Sequence, residues 1–208
     1  PILLIGVFLG ILGNANAGDV LKLRAGAQVL PSKHSAQILN LNSTSQSFSG
    51  SEFIIQFDSA IDENLKQELR QVGLDVKGYL PDDALIVSGD PELVDEVARH
   101  FVEVRAISPF YSQWKLSPAL DQANLLNRGA KTRIQLRVLT SADMVPVMKA
   151  IYERGLANVL FIGTRNAVVE IANHKVEELA GIEGVEWVEP ELEFSRLDFE
   201  LGLGKLNK

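Results

Sequence analysis

The sequence predicts an α+β protein built from two tandem βαββαβ units, each an antiparallel sheet with its helices on one face. Three observations carry that reading. Residues 52–116 and 132–194 alternate strand-like and helix-like hydrophobic periods in the same order. Their punctuation corresponds, with Gly73 matching Gly155 and Pro109 matching Pro190, so the chain holds one long, degenerate repeat. A chain of 208 residues with 46% hydrophobic content is also long enough for two small cores.

The first unit opens with Phe53, Ile55 and Phe57 alternating with Ile54 and Gln56, the period of a half-buried strand. Ile61, Leu65, Leu69 and Val72 then recur at helical spacing, with Asp62, Glu63, Lys66, Gln67 and Arg70 on the other side. Asp58 or Ser59 is the expected cap and Gly73 the stop. Residues 74–80 read as a second strand, Pro81-Asp82-Asp83 as a turn, and Ala84 to Val87 as a third strand. After the breaker Ser88-Gly89-Asp90-Pro91 comes a helix with Leu93, Val94, Val97 and Ala98. Val102 to Ile107 forms a fourth strand, closed by Pro109. The expected core is Phe53, Ile55, Phe57, Leu65, Leu69, Ile86, Val94 and Val97.

The second unit repeats the order. Ile134, Leu136 and Val138 share one face of a strand, with Gln135 and Arg137 on the other. Met144, Val147, Met148 and Ile151 make a helical stripe ending at Gly155. Leu156 to Ile162 and Ala167 to Ile171 are strands around the turn Gly163-Thr164-Arg165-Asn166. Val176, Leu179 and Ala180 mark a helix, and Val185 to Val188 a last strand closed by Pro190. Ile134, Leu136, Val138, Val147, Ile151, Val169, Val176 and Leu179 are its expected core.

Outside the repeats, Ile2 to Leu12 is a nearly unbroken apolar run followed by Ala15-Asn16-Ala17, a small-x-small pattern. The run is short for a bilayer span and reads as a secretory signal, residues 1–17, cut after Ala17. Its positive n-region is missing, so the true start is expected upstream of Pro1. Residues 18–51 read as an N-terminal segment and linker, with one short strand over residues 20–24. Asn42-Ser43-Thr44 fits a glycosylation sequon, a pattern that arises often by chance. Residues 117–131 form a polar connector, and Tyr111 and Trp114 ahead of it read as aromatics packed over a sheet edge rather than as a binding surface. The tail, residues 195–208, is too apolar for a solvated end and is expected to dock or to lead into a further domain.

Composition narrows the function. A net charge of -7 supplies no basic stripe for phosphates, so nucleic acid is not an expected partner, and no membrane partner is expected after signal removal. The chain has no cysteine, which excludes thiolate chemistry and disulfides. Its three histidines, His34, His100 and His174, make no metal-ligand spacing. Asp58, Asp62 and Glu63 lack the spacing and glycine of a calcium loop, and Asp82-Asp83 is turn chemistry before it is an acid pair. Gly202-Leu203-Gly204-Lys205 lacks the glycine spacing of a phosphate loop. No catalytic residue, metal or cofactor is expected.

Phe53-Ile54-Ile55-Gln56-Phe57, Val72-Gly73, Gly78 to Ala84, and Tyr111 to Pro118 together resemble the N-terminal region of secreted bacterial subtilisin-like serine peptidases. Gly184 to Pro190 is similar to the close of propeptides in that family. The resemblance covers roughly residues 20 to 194 and implies ferredoxin-like βαββαβ domains. The family's catalytic motifs (Asp-Ser/Thr-Gly, a His followed by Gly, and Gly-Thr-Ser-Met) are all missing, so the chain is expected to be a pro-region ahead of a peptidase domain. The resemblance implies a secreted or periplasmic bacterial protein that assists the folding of a peptidase domain, in cis or in trans, and inhibits it. The expected contacts are Ile54 and Gln56 on one open sheet face, Gln135 and Arg137 on the other, and Phe194, Leu197 and Phe199 in the tail. A free-standing exported inhibitor, or a tandem small-molecule-binding regulatory module, would present the same pattern.

Overall fold

The computed structural model describes residues 20–32, 50–120 and 129–191. They fall into two compact units, one with residues 20–32 and 51–110, the other with residues 111–120 and 129–191. The first contains a hairpin, β1 (Val20–Leu23) and β2 (Gly26–Val29), followed by β3 (Glu52–Phe57), α1 (Glu63–Gln71), β4 (Asp75–Leu80), β5 (Ala84–Ser88), α2 (Pro91–His100) and β6 (Val104–Pro109). The second contains β7 (Lys131–Val138), α3 (Met144–Glu153), β8 (Ala157–Ile162), β9 (Asn166–Ala172), α4 (Val176–Ala180) and β10 (Val185–Pro190).

The two four-stranded sheets have the orders β4-β5-β3-β6 and β10-β7-β9-β8, and every pairing in them is antiparallel. In each, the first strand lies between the third and the fourth, and the second forms an edge. This is the split βαβ arrangement of a ferredoxin-like fold. The second core joins Ile134, Leu136 and Val138 of β7 to Val147 and Ile151 of α3 and to Val176 and Leu179 of α4.

The repeat extends to the helix ends. After α1, the Leu74 N–H donates to the Leu69 carbonyl and Gly73 has φ 99°. After α3, the Leu156 N–H donates to the Ile151 carbonyl and Gly155 has φ 56°. Both are Schellman-type ends, in which a left-handed residue lets the next N–H reach back to an orphan carbonyl and a buried leucine seals the turn. The N-terminus of α1 differs from expectation. Asp62, not Asp58 or Ser59, caps it, accepting from the Leu65 N–H at 2.8 Å. The Lys66 ammonium, hydrogen-bonded to Glu63, holds that carboxyl below its ordinary range.

Two further differences concern the first unit. Residues 20–29 form a hairpin rather than one strand, and they belong to this unit. Ile86 is buried, but it pairs with Ile54 and so shares that residue's face; Leu85 and Val87 are the β5 residues beside Ile55 and Phe53. Leu65 is only half-buried, so α1 rests chiefly on Leu69.

Candidate docking surfaces

The first sheet does not offer the open face that the alternation of β3 predicts. All six residues of β3 are buried, and Ile54 and Gln56 are both 0% exposed. Their face carries small neighbours, Ala84, Ala106 and Ser108, all buried. The β1–β2 hairpin and the residue after it supply the same unit with two buried leucines, Leu21 and Leu30. It is tied down at two points, where the Lys22 N–H donates to the Asp82 carboxylate at 3.2 Å and Ser32 bridges to Ala106. Gln56 donates through Nε2 to the Asp82 carbonyl at 3.0 Å, holding the turn in which Asp82 and Asp83 both have positive φ. Ile54 and Gln56 are therefore interior residues. The signal that misled is the polar Gln56, which a strand period alone assigns to solvent.

The second sheet keeps an outer face. Gln135 and Arg137 alternate with the buried Ile134, Leu136 and Val138 and are half-buried. Gln135 pairs with Val168 on β9, and Val168 pairs with Phe161 on β8, which is 61% exposed. Toward the other edge the face closes. A register shift between Val185 and Trp187 sets Trp187 beside Arg137, and its ring is buried, with Nε1 donating to Glu189 at 3.0 Å. The accessible part of this face thus lies over β8 and β9, around Phe161 and Val168.

Arg137 is not a free contact. It makes an ion pair with Glu186 at 3.0 Å, and Glu186 also accepts from Arg165 at 2.8 Å. Arg165 reaches further, donating to the Val138 carbonyl through Nε and Nη2 and to the Leu139 carbonyl. One guanidinium thus joins the β8–β9 turn to the end of β7 and to β10, a role the turn sequence alone did not reveal. Arg165→Ala is expected to destabilise the second unit by about 2 kcal/mol, because it orphans carbonyls held by a charged donor. Arg165→Lys should recover only part of this, since an ammonium lacks the planar fork. Urea unfolding of the three proteins checks both statements.

The β10 edge is covered by the chain itself. Leu116 bridges Val188 in parallel, and the Ser117 N–H donates to the Val188 carbonyl at 2.8 Å. Trp114 in the adjoining 3-10 turn is buried and meets Tyr111 edge-to-face at 4.9 Å, so these aromatics serve the edge. Phe194, Leu197 and Phe199, like the cleavage-site residues Ala15 and Ala17, lie outside the described residues.

A shallow cavity of about 220 Å³ lies beside the N-terminus of α1, lined by Ser59, Asp62, Asn64, Glu68 and Glu103 among others. Among the described residues no cluster of His, Asp and Glu is placed to hold a metal ion. Among them, too, no helix is long and apolar enough to cross a membrane.

Fold and surface together define an α+β protein of two ferredoxin-like units, with accessible sheet surface on the second. A family model described as a domain of unknown function (DUF8729) matches residues 22–111, spanning most of the hairpin and the whole of the first sheet. No curated protein matches the chain. Among solved structures it is similar to the acetolactate synthase small subunit from Thermotoga maritima, at 13% identity, covering 67% of this chain and 91% of that one. The TM-score is 0.20, too low to carry a functional argument.

Proposed function

We propose that this chain is a propeptide-like region of a subtilisin-like serine protease, exported through a signal cut after Ala17, that assists folding of the peptidase domain and inhibits it. The observation that carries the reading is the accessible half of the second sheet's outer face, on the unit from which the tail leads away after β10. The first unit, with β3 buried on both faces, does not supply the docking surface in this reading. Gln135, Val168 and Phe161 are the proposed contact row, and Phe194, Leu197 and Phe199 are the proposed anchors of an extended tail in the protease cleft.

The physics of such a partner is simple. A surface that binds the folded peptidase and not its unfolded chain stabilises the folded form, by about 2.7 kcal/mol at ~100 times the dissociation constant. A tail lying extended in a cleft adds main-chain hydrogen bonds and fills alternate pockets. Folding assistance and inhibition then arise from one contact.

Inhibition of purified subtilisin-like proteases tests this. The full chain is expected to inhibit. Deleting residues 195–208 should weaken inhibition about 100-fold, the loss of about 2.7 kcal/mol of anchor contacts. Val168→Lys should weaken binding of the truncated chain as well. A full chain that neither binds nor inhibits would remove the reading.

A further inference from the structure

We infer that the β8 edge of the second unit, together with the adjoining flank of α3, is a self-association surface that takes a second copy of this chain. The inference is independent of the protease reading. It starts from an internal comparison, because β4 and β8 hold the same place in the two units: each is the second strand and an edge of its sheet.

Both edge strands carry a bulge, one between Val76 and Gly78 and the other between Val159 and Phe161. Bulges and charges are how edge strands are kept from pairing with other chains. In β4 the extra residue is Lys77, which forms an ion pair with Asp75 at 3.0 Å. In β8 the extra residue is Leu160, and it is followed by Phe161 and Ile162, all three exposed. No charged residue occurs from Leu156 to Thr164. The other two sheet edges, β6 and β10, each carry a bridge from the chain's own Ser32 and Leu116. Among the four edges of the two four-stranded sheets, β8 alone is apolar and neither bridged nor charged.

The helix layer continues the surface. α3 joins β7 to β8, and a right-handed crossover places it over the β9–β8 half of the sheet. α4 lies at the other side, against β10. Met144, Val147 and Ile151 turn α3 toward the core. At about 100° per residue, Val145 and Tyr152 fall together about 100° round from that face, on the side of β8. They are 75% and 86% exposed. On α1 the corresponding flank carries Lys66 and Arg70 instead. The same flank is thus charged in one unit and apolar in the other.

The occupant follows from charge and symmetry. An uncharged strand can pair antiparallel with its own copy across a two-fold axis without setting like charges opposite each other. The same axis runs the two α3 helices antiparallel. Lys149 and Glu153, an exposed i,i+4 pair at 3.7 Å, border the apolar flank with opposite signs. Across the axis, Lys149 of one copy faces Glu153 of the other. The surface is therefore complementary to itself although the whole chain carries -7.

Sedimentation equilibrium of the full chain tests the inference. The expected mass is twice 22.8 kDa at micromolar concentration. Leu160→Lys, which gives β8 the residue type that β4 has at its bulge, should raise the dimer dissociation constant about 100-fold, and Tyr152→Glu should do likewise. Circular dichroism should be unchanged, because both side chains are exposed, and melting should fall only by the concentration-dependent part that the dimer contributes. Lys149→Glu and Glu153→Lys should each weaken the homodimer, and mixing those two variants should restore a dimer. A wild-type monomer at about 100 μM would overturn the inference. So would a dimer indifferent to Leu160→Lys and Tyr152→Glu, or charge variants whose mixture does no better than either alone.

Discussion

Ile54→Asp is expected to unfold the first unit, whereas Gln135→Asp, at the corresponding position of the second, should cost no more than about 1 kcal/mol, the repulsion from Glu189 across the strand pair. Ile54 is 0% exposed between Phe53 and Ile55 on a central strand. Removing its side chain forfeits about 2–5 kcal/mol of burial and packing. Aspartate then adds the desolvation of a carboxylate among Ile86, Ala84 and Ser108, which offer it no cation. The sum reaches the whole stability of a typical small domain, about 5–15 kcal/mol. Gln135 is half-buried on an outer face, where a carboxylate keeps its water. Chemical denaturation followed by hydrogen exchange separates the two units. A mild effect at Ile54 would mean that its face is open after all.

Gly184→Ala carries the second large expected effect, a loss of about 2–4 kcal/mol from the second unit. Gly184 has φ 89°, a left-handed conformation that strains a residue with a Cβ. An added Cβ would sit 2.9 Å from the Asp143 Cβ and 3.1 Å from the Val147 Cγ2. Neither neighbour can yield cheaply. Asp143 is held in a capping box, accepting from the Thr140 N–H and hydroxyl, and Val147 is fully buried on α3. The Gly184 carbonyl also accepts from the Leu139 N–H at 2.9 Å, tying the turn before β10 to the end of β7. Gly155→Ala provides the control. Gly155 also has positive φ, but no atom lies within 4 Å of its added Cβ, so only the backbone strain should appear, about 1 kcal/mol. Thermal unfolding of both variants should reproduce this order.

Much of the architecture is local chemistry, and so it was legible in the sequence. The βαββαβ order, its recurrence, and the helix stops at Gly73 and Gly155 follow from hydrophobic period and from a residue that tolerates positive φ. The whole predicted core of the second unit is buried, because β7 has one dry face and its alternation says so. The period counted Asp62 into the helix and left its cap to Asp58 or Ser59, because hydrophobic spacing does not fix where the first turn begins.

What lies on the outside of each sheet was decided only by the tertiary structure. Strand period reports that two faces differ, not that either one meets water; β3 is buried on both sides in a unit that includes a hairpin where one short strand over residues 20–24 was expected. Gln56 looks like a surface residue until the Asp82 carbonyl takes its amide. Trp187 changes face through one extra residue in β10, and Arg165 gains its role from carbonyls more than twenty residues away. Edge exposure is a property of strand order, so the contrast between Lys77 and Leu160 has no meaning until β4 and β8 are both seen to be edges. A sequence determines short-range periods and caps directly, because a few neighbouring residues set them. Coverage, register shifts and edges arise from pairings between distant segments, which only the folded chain brings together.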